Sequence, residues 1–566
     1  MTRMSGSEAL FEALRREEVR VAFGIPGGVI MSFYDALYRL NKQADTSGIR
    51  HILARHEQSA AHMADGYARA SGRTGVCVAT SGPGATNLVT GITTAHMDSS
   101  PIVAITGQVA RDFVGKDAFQ ETDIVGVATS VTKYAFQVTS ASEIPVVVRS
   151  AFHIANSGRP GPVLIDLPAD VQTETMEITF PGEPRLGNNR PTPIPDPNVV
   201  AKMAEMLLQA ETPLILAGGG VKISGASPEL LALAEKLCAP VATSFMGKGV
   251  IPEDHPLSIG VMGMHGSSEA NAIAGLADVI LVVGSRLSDR TTGKVEKFCP
   301  GCKILHIDID NSEIGKNKSP YLSMVSDAKA ALAAMNRIVA RSAHAHQGNW
   351  FSAAKTKREL LESELRTDGP CLSAPVVLKL LRKIIPREAI ITTDVGQNQM
   401  WASLHFEAYS PRKFISSGGL GTMGFGFPAA LGAKVACPDQ HVLDISGDGG
   451  FGMTENSLAT SVEEDIPVTV LVLNNRVLGM VAMWHRLFYE RRYCAVKLGK
   501  SPDFVKLTKA YGAEAERVCD YKELEKAVRT ALTSRVTTVI DIPISSEEDV
   551  LPMLTPGAGV GEKTQK

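Results

Sequence analysis

HVLDISGDGGFGMTENSLATSVEEDIPVTVLVLNN, running from His441 to Asn475, sets two short apolar runs on either side of a helical stretch. His441 to Ser446 has the length and composition of a buried strand, Glu455 to Glu464 can form a helix, and Pro467 to Leu473 is a second β-rich run. A strand–helix–strand crossover makes the two strands parallel. Asp448 and Asn475 then both emerge at the carboxyl edge of one sheet. A carboxylate and an amide carbonyl are hard oxygen ligands, and a Mg²⁺ ion held by them completes its octahedron with phosphate oxygens. Gly447 and Gly449, on either side of Asp448, let the backbone approach a diphosphate closely. The plain alternative is an ordinary βαβ turn with polar ends.

The rest of the chain fits that α/β reading. With 566 residues it exceeds what one core serves, so about two to four domains are expected. A hydrophobic content of 44% with 21% charged residues describes a soluble globular protein, and a formal charge of −3 carries no large field. Neither nucleic acid nor membrane is therefore an expected partner. No apolar run approaches the length of a membrane span. Met1 to Val19 reads as an amphipathic helix without signal or transit character, so the expected location is cytoplasmic. Eight cysteines in a chain this long suggest reduced thiols. Cys299 and Cys302 form a lone CxxC, which without a second pair is usually incidental, and no HExxH occurs among the histidines.

Two composition shifts divide the sequence. Phe180 to Asn198 is rich in proline, glycine and asparagine and reads as a linker, and Arg341 to Pro370 is polar, helical in its latter half. The expected domains are 1–180, 192–342 and 370–553. Strand candidates are Thr74 to Thr80 and Pro101 to Thr106 in the first, Pro213 to Ala217 and Val279 to Val283 in the second, and Ala389 to Thr393 and Val468 to Leu473 in the third. Strands alternating with helical periods predict three doubly wound parallel sheets.

Several residues carry chemistry beside a plainer reading. Glu57 is a carboxylate on an Ala- and Gly-rich helix, which on a solvated face would mean nothing. Thr80 to Ala85 (TSGPGA), with Asn87, is a glycine turn at a strand end, and Gly419 to Gly424 (GLGTMG) formally matches GxGxxG, a weak match by itself. Arg290 suits bidentate recognition of a carboxylate, or a surface ion pair with Asp289. Trp484 would ordinarily be core. Gly218, Gly219 and Gly220, Met264 and His265, Arg286, and His306 to Asp310, with Arg159 upstream, are each ordinary loop chemistry, with a nucleotide site as the lesser reading from sequence alone.

The spacing from Gly447-Asp448-Gly449 to Asn474-Asn475 resembles the thiamin-diphosphate signature, and the chain from Gly24-Ile25-Pro26-Gly27-Gly28 to about Pro552 resembles the large catalytic subunit of acetolactate (acetohydroxyacid) synthase. The resemblance implies a pyrimidine-binding domain, a central FAD-associated domain and a diphosphate-binding domain, in that order. It places Glu57 as the catalytic carboxylate on a ring nitrogen of the aminopyrimidine, Thr80, Pro83 and Asn87 around that ring, and Gly28 near the reacting carbon. Phe119 and Gln120, in the family's AFQE-D segment, would border the substrate. Val395, Gly396, Gln397 and Asn398 would lie on the diphosphate side, with Gly421, Gly447, Gly449, Gly450, Gly479 and Met480 around the cofactor. Met423 would be the apolar prop that bends it. Asp448, Asn475 and the Val477 carbonyl would hold Mg²⁺. Arg159, Gly218, Gly219, Gly220, Ser244, Met264, His265, Gly284, Arg286, Asp308 and Asp327 fall at its FAD-binding positions. Arg290 would bind the second keto acid's carboxylate and Trp484 would wall its extra methyl, a contact worth roughly 1–3 kcal/mol.

The implied activity is decarboxylation of pyruvate and transfer of the hydroxyethyl unit to pyruvate or 2-ketobutyrate, for valine, leucine and isoleucine biosynthesis. The implied assembly is a homodimer or tetramer with the active site between subunits, plus a small regulatory subunit. Two positions depart from the pattern: Asn398 stands where histidine is usual, with binding expected to survive because both side chains donate hydrogen bonds, and Ala169 stands where a lysine is common. Rival readings are an FAD-dependent pyruvate oxidase, another thiamin-diphosphate carboligase, and a silent regulatory paralogue.

Overall fold

The computed structural model describes residues 2–43, 48–182, 193–342, 350–351, 372–500, 502–554 and 557–560. Much of both composition shifts, including the helical reading of 353–365, lies outside the described residues. Three six-stranded sheets, parallel throughout, carry the fold. Numbering strands by appearance within each sheet, the first sheet (Val21–Gly24 to Val163–Pro168) and the third (Ile390–Thr393 to Thr538–Pro543) share the order 2-1-3-4-6-5. The central one (Pro213–Ala217 to Leu322–Val325) has the order 3-2-1-4-5-6, that of dinucleotide-binding folds. A small antiparallel pair, Thr2–Ser5 with Thr175–Ile178, precedes the expected N-terminal helix, observed as Gly6–Arg16 with a Ser5/Glu8 capping box.

The predicted strands form where apolar runs are bounded by glycine and proline. Pro213–Ala217 and Val279–Val283 match residue for residue. The helix expected over Glu455 to Glu464 is observed as Ser457–Glu463, and a second, unexpected helix, Asp448–Thr454, precedes it, starting on Asp448 itself. Gly449, Gly450 and Gly452 disguise that first turn as loop, because glycine is a poor helix former whose cost packing overrides here.

The first and third sheets share one hydrophobic core through two crossed helices, Glu57–Ser71 and Gly426–Ala436. Their backbones nearly touch. A Cβ on Gly432 would stand 1.9 Å from the Met63 carbonyl oxygen, and one on Gly66 would stand 2.1 Å from that of Ala429. Beside the crossing, buried Arg69 is held by Asp65 at 2.6 Å and Asp98 at 3.1 Å, and Asp98 accepts the Gly418 and Gly419 amides at 3.1 and 2.7 Å. The central sheet is riveted to the third by the buried Lys248–Glu253 pair. Lys248 donates to the Ser403 carbonyl at 2.9 Å and Glu253 accepts the Ala408 amide at 2.7 Å. No helix among the described residues is long and apolar enough to cross a membrane.

Candidate functional site

In each sheet the strand order reverses beside the first strand, and ligands of open α/β sheets bind in the crevice at that point. The loops that open there are 24–30 and 80–87 in the first sheet, 394–398 and 447–450 in the third, and 218–220 and 284–286 in the centre. Half of the sequence-predicted positions lie on these loops.

At the first edge, Glu57 opens its helix and is buried, and Asn87 donates to its Oε2 at 3.0 Å. A Cβ on Gly84 would lie 3.3 Å from Glu57 Oε1, and the Thr80 hydroxyl is buried with no partner among the described residues. Burial together with the Glu57 charge pushes the neighbouring Tyr34 phenol up. Pro83 starts the following helical turn, and Gly28 faces open space. Gln120 adopts a left-handed backbone (φ 61°) and packs its main chain on Gly82, where a Cβ would come within 2.9 Å of its carbonyl. Phe119 beside it is 87% exposed. The Glu121 carboxylate ties this loop by accepting the amides of Gly115, Lys116 and Ala118.

At the third sheet's edge, Asp448 is buried and bonded to the backbone of Arg476 and Gly449, which draws the 475–477 loop to it. Burial pushes its carboxyl up to about 6, a cost that a divalent ion would offset. The Asn475 amide donates to Gln397 Oε1 at 3.2 Å, while its oxygen accepts the Val477 amide at 3.2 Å. Gln397 donates onward to the Glu548 carbonyl at 3.1 Å. At Gly449 a Cβ would press on the apolar wall of this cradle, 3.0 Å from Leu478 Cδ2 and 3.3 Å from Met423 Cε. Gly450 and Gly479 serve internal packing instead, against Asp394 Oδ1 at 1.9 Å and Gln397 Oε1 at 2.1 Å from their built Cβ positions. Met480 packs on the core, and Gly421 takes the left-handed φ of 70°.

Asn398 is a correction. Its Nδ2 donates to the carbonyls of Asp394 and Ile445, each at 2.9 Å, so both amide hydrogens are committed and none is left for a phosphate. Its oxygen faces Gly396 and Gly447. Sequence reasoning also missed the work of Asp394. Fully buried and pushed up to about 6 by that burial, it accepts the amides of Val395, Gly424 and Gly426 and pins the Met423 loop to the 394–398 loop. The only sequence signal was an aspartate closing an apolar strand.

A cavity of about 640 Å³ lies where the three sheets meet. Arg159, Gly219, Gly220, Ser244, Gly284, Arg286, Asp308 and Asp327 line it as expected. Gly218, Met264 and His265 do not. Gly218 instead lets its loop cross the next one, a Cβ there meeting the Gly284 carbonyl at 2.0 Å. Met264 exchanges backbone bonds with Arg290 and Leu554, and burial, with Arg290 nearby, pushes His265 down to about 4. Arg159 is held by Glu313 at 2.6 Å and Ser99 at 2.8 Å. Burial and Arg159 hold the Arg286 guanidinium below its usual range, and burial raises Asp308 to about 6. Lys222, unpredicted, also lines the cavity, and burial lowers it to about 7. A space this size with arginines and a lysine on its walls fits an anionic dinucleotide.

Arg290 is exposed, with Asp289 at 3.6 Å and its Nη1 2.7 Å from Met264 Sδ, so the ion pair with Asp289 is present. Trp484 is not core: it stands 40% exposed on the helix Gly479–Phe488 that starts beside Asn475. The CxxC thiols are both pushed up to about 12 by burial, which leaves almost no thiolate at neutral pH. No cluster of three or more His, Cys, Asp or Glu suited to a metal occurs among the described residues.

Three family models match in succession: the thiamine pyrophosphate enzyme N-terminal TPP binding domain over residues 4–127, the central domain over 200–335, and the C-terminal TPP binding domain over 394–542. The chain is 48% identical to a "Probable acetolactate synthase large subunit" of Methanocaldococcus jannaschii, over 98% of this chain and 94% of that one. It is 40% identical to the acetolactate synthase isozyme 2 large subunit of Escherichia coli K12 over the whole of both chains. To the acetolactate synthase large subunit of Corynebacterium glutamicum it is 41% identical, over 98% and 89%.

Proposed function

This chain belongs to the thiamine pyrophosphate enzymes and, among them, to the acetolactate synthase large subunits, and we propose from that premise how its residues divide the work. It is the thiamin-diphosphate-dependent catalytic subunit, a transferase that acts on pyruvate. Thiamin diphosphate, when bound, supplies the carbon nucleophile that stores the two-carbon unit left when pyruvate loses CO₂. Glu57, oriented by Asn87, holds a proton on the pyrimidine ring beneath Thr80 and Pro83. Asp448, Asn475 and the Val477 carbonyl hold Mg²⁺ against the diphosphate, Val395, Gly396, Gln397 and Gly447 to Gly449 flank it, and Met423 props the cofactor. Phe119, Gln120 and Gly28 border the reacting carbon. Arg290 takes the carboxylate of the acceptor keto acid, pyruvate or 2-ketobutyrate, exchanging its weak partners for a bidentate one, and Trp484 packs on the acceptor's alkyl end.

FAD occupies the three-sheet cavity as a structural group held by Arg159, Gly219, Gly220 and Arg286. The units are 1–180, 192–342 and 370–553. The assembly is a homodimer or tetramer with the active site between copies, joined by a small regulatory subunit, in the cytoplasm. The exposed apolar side chains of Phe113, Phe119, Leu420, Met453, Trp484 and Phe488, on the edges that carry the site, support a second copy covering them. The observation that carries the reading is the buried Asp448 bonded to the loop of Asn475 across the switch point. The test is the flavin spectrum during turnover with pyruvate and 2-ketobutyrate together. The synthase forms both acetohydroxy acids with the flavin staying oxidised, whereas bleaching in step with turnover would establish the oxidase.

A further inference from the structure

One buried carboxylate has no place in the division of work above. Asp166 lies inside the strand Val163–Pro168 with no exposed surface, and burial, with Asp123 nearby, raises its carboxyl to about 6. It accepts three side-chain donors: the Thr106 hydroxyl at 2.8 Å, Gln108 Nε2 at 3.1 Å and Gln137 Nε2 at 3.2 Å. An apolar side chain would fill this space without the desolvation cost of a carboxylate, so packing alone does not account for it. Gln108 shows what the carboxylate achieves. Its second amide hydrogen goes to the Thr122 carbonyl at 2.8 Å and its oxygen accepts the Val109 amide at 2.9 Å, so every polar atom of the side chain is used and the amide cannot rotate.

We propose that Asp166 is a positioning residue for the substrate loop: it fixes Gln108, which holds the Thr122 carbonyl and so sets where Phe119 and Gln120 stand over the reacting carbon. This rests on the acetolactate synthase reading. The Glu121 clamp shapes the loop from within but does not tie it to the sheet; the Gln108–Thr122 bond does. The tolerance is small, since the Gln120 backbone already packs on Gly82. A second buried glutamine repeats the device on the facing loop: Gln172 Nε2 donates to the Val29 carbonyl at 2.6 Å and to that of Leu167 at 3.1 Å. Two substrate loops are thus held by amide side chains from the sheet edge.

The test compares Gln108→Met, Asp166→Leu and Gln137→Ala in the assembled holoenzyme. Methionine keeps length and burial but has no N–H. Leucine fills the buried space but accepts no hydrogen bond, so Gln108 loses the partner that fixes its amide. Gln137→Ala removes a donor to Asp166 from an exposed position that does not touch the loop. Expected for the first two is a fall in kcat/KM for pyruvate of about ten- to a hundredfold, with thiamin diphosphate affinity within about twofold of the parent. Amide hydrogen exchange over 109–123 should quicken while the strand Ile102–Gln108 stays protected, and Gln137→Ala should match the parent throughout. Parent-like kcat/KM in both Gln108→Met and Asp166→Leu overturns the relay. So does a loss of cofactor affinity in step with activity, which would mark a collapsed sheet edge. A parent that makes no acetolactate overturns the synthase reading instead, and the exchange measurement then still decides whether Gln108 holds the loop.

Discussion

Substituting Gly432 with alanine adds one methyl at the point where the helices Glu57–Ser71 and Gly426–Ala436 cross. Its Cβ would lie 1.9 Å from the Met63 carbonyl oxygen and 2.7 Å from the carbonyl carbon, far inside van der Waals contact. The obstacle is backbone in the middle of a helix, so no side chain can swing aside and the helices themselves must separate. Overpacking typically costs about 1–3 kcal/mol, and a rigid backbone neighbour puts this site at or above the upper end. Alanine's better helix propensity returns about 0.5–1 kcal/mol. A net loss of about 2 kcal/mol remains, which in a domain of this size lowers Tm by roughly 4–8 °C. Differential scanning calorimetry of the parent, Gly432→Ala and Gly452→Ala measures it. Gly452 is a control on an exposed helix position with nothing within 4 Å of its built Cβ, and alanine there should be neutral or stabilising. Because one helix begins with Glu57 and the other follows the Met423 loop, the Gly432 variant should also lose activity. An unchanged or higher Tm for Gly432→Ala would show slack at the crossing and refute the claim that the two helices meet there backbone to backbone.

Glu57→Gln should keep cofactor affinity, because Gln can still accept from Asn87, while turnover falls on the order of 10²–10⁴-fold; parent-like steady-state turnover sinks the assignment. Divalent-ion binding by Asp448 should be flat above pH 6 and weaken about tenfold per pH unit below it, since burial holds the carboxyl at about 6 and a proton then competes with the metal. Titration with Mn²⁺ alone between pH 5 and 8 reads this, and Asp448→Asn should remove both the binding and its pH dependence. Trp484→Leu should retain acetolactate formation from pyruvate but lose a preference for 2-ketobutyrate worth roughly 1–3 kcal/mol, read by competing the two acceptors; a persisting preference places the pocket elsewhere.

The parts of the fold legible in the sequence are those where one residue type repeats locally. Buried parallel strands announce themselves as apolar runs, and the glycines that follow them mark the switch-point loops, which is why the three sheets and the loops at their edges could be read in advance. The helix on Asp448 was illegible because its three glycines oppose helix formation and only the surrounding contacts, such as Gly450 against Asp394, reveal why glycine is there. Asn398 looked like a phosphate donor until its neighbours showed two carbonyls claiming its amide. Asp166 and Gln108, 58 residues apart, gave no pattern: a single polar residue in an apolar strand has meaning only once the sheet sets its partner beside it.

The most direct test of the account is the carbon NMR spectrum of the product formed from ¹³C-labelled pyruvate by the purified chain with thiamin diphosphate, Mg²⁺ and FAD. Joining of the two-carbon unit to a second keto acid predicts 2-acetolactate, lost in the Glu57→Gln protein. Acetaldehyde or acetate as the main product would contradict it.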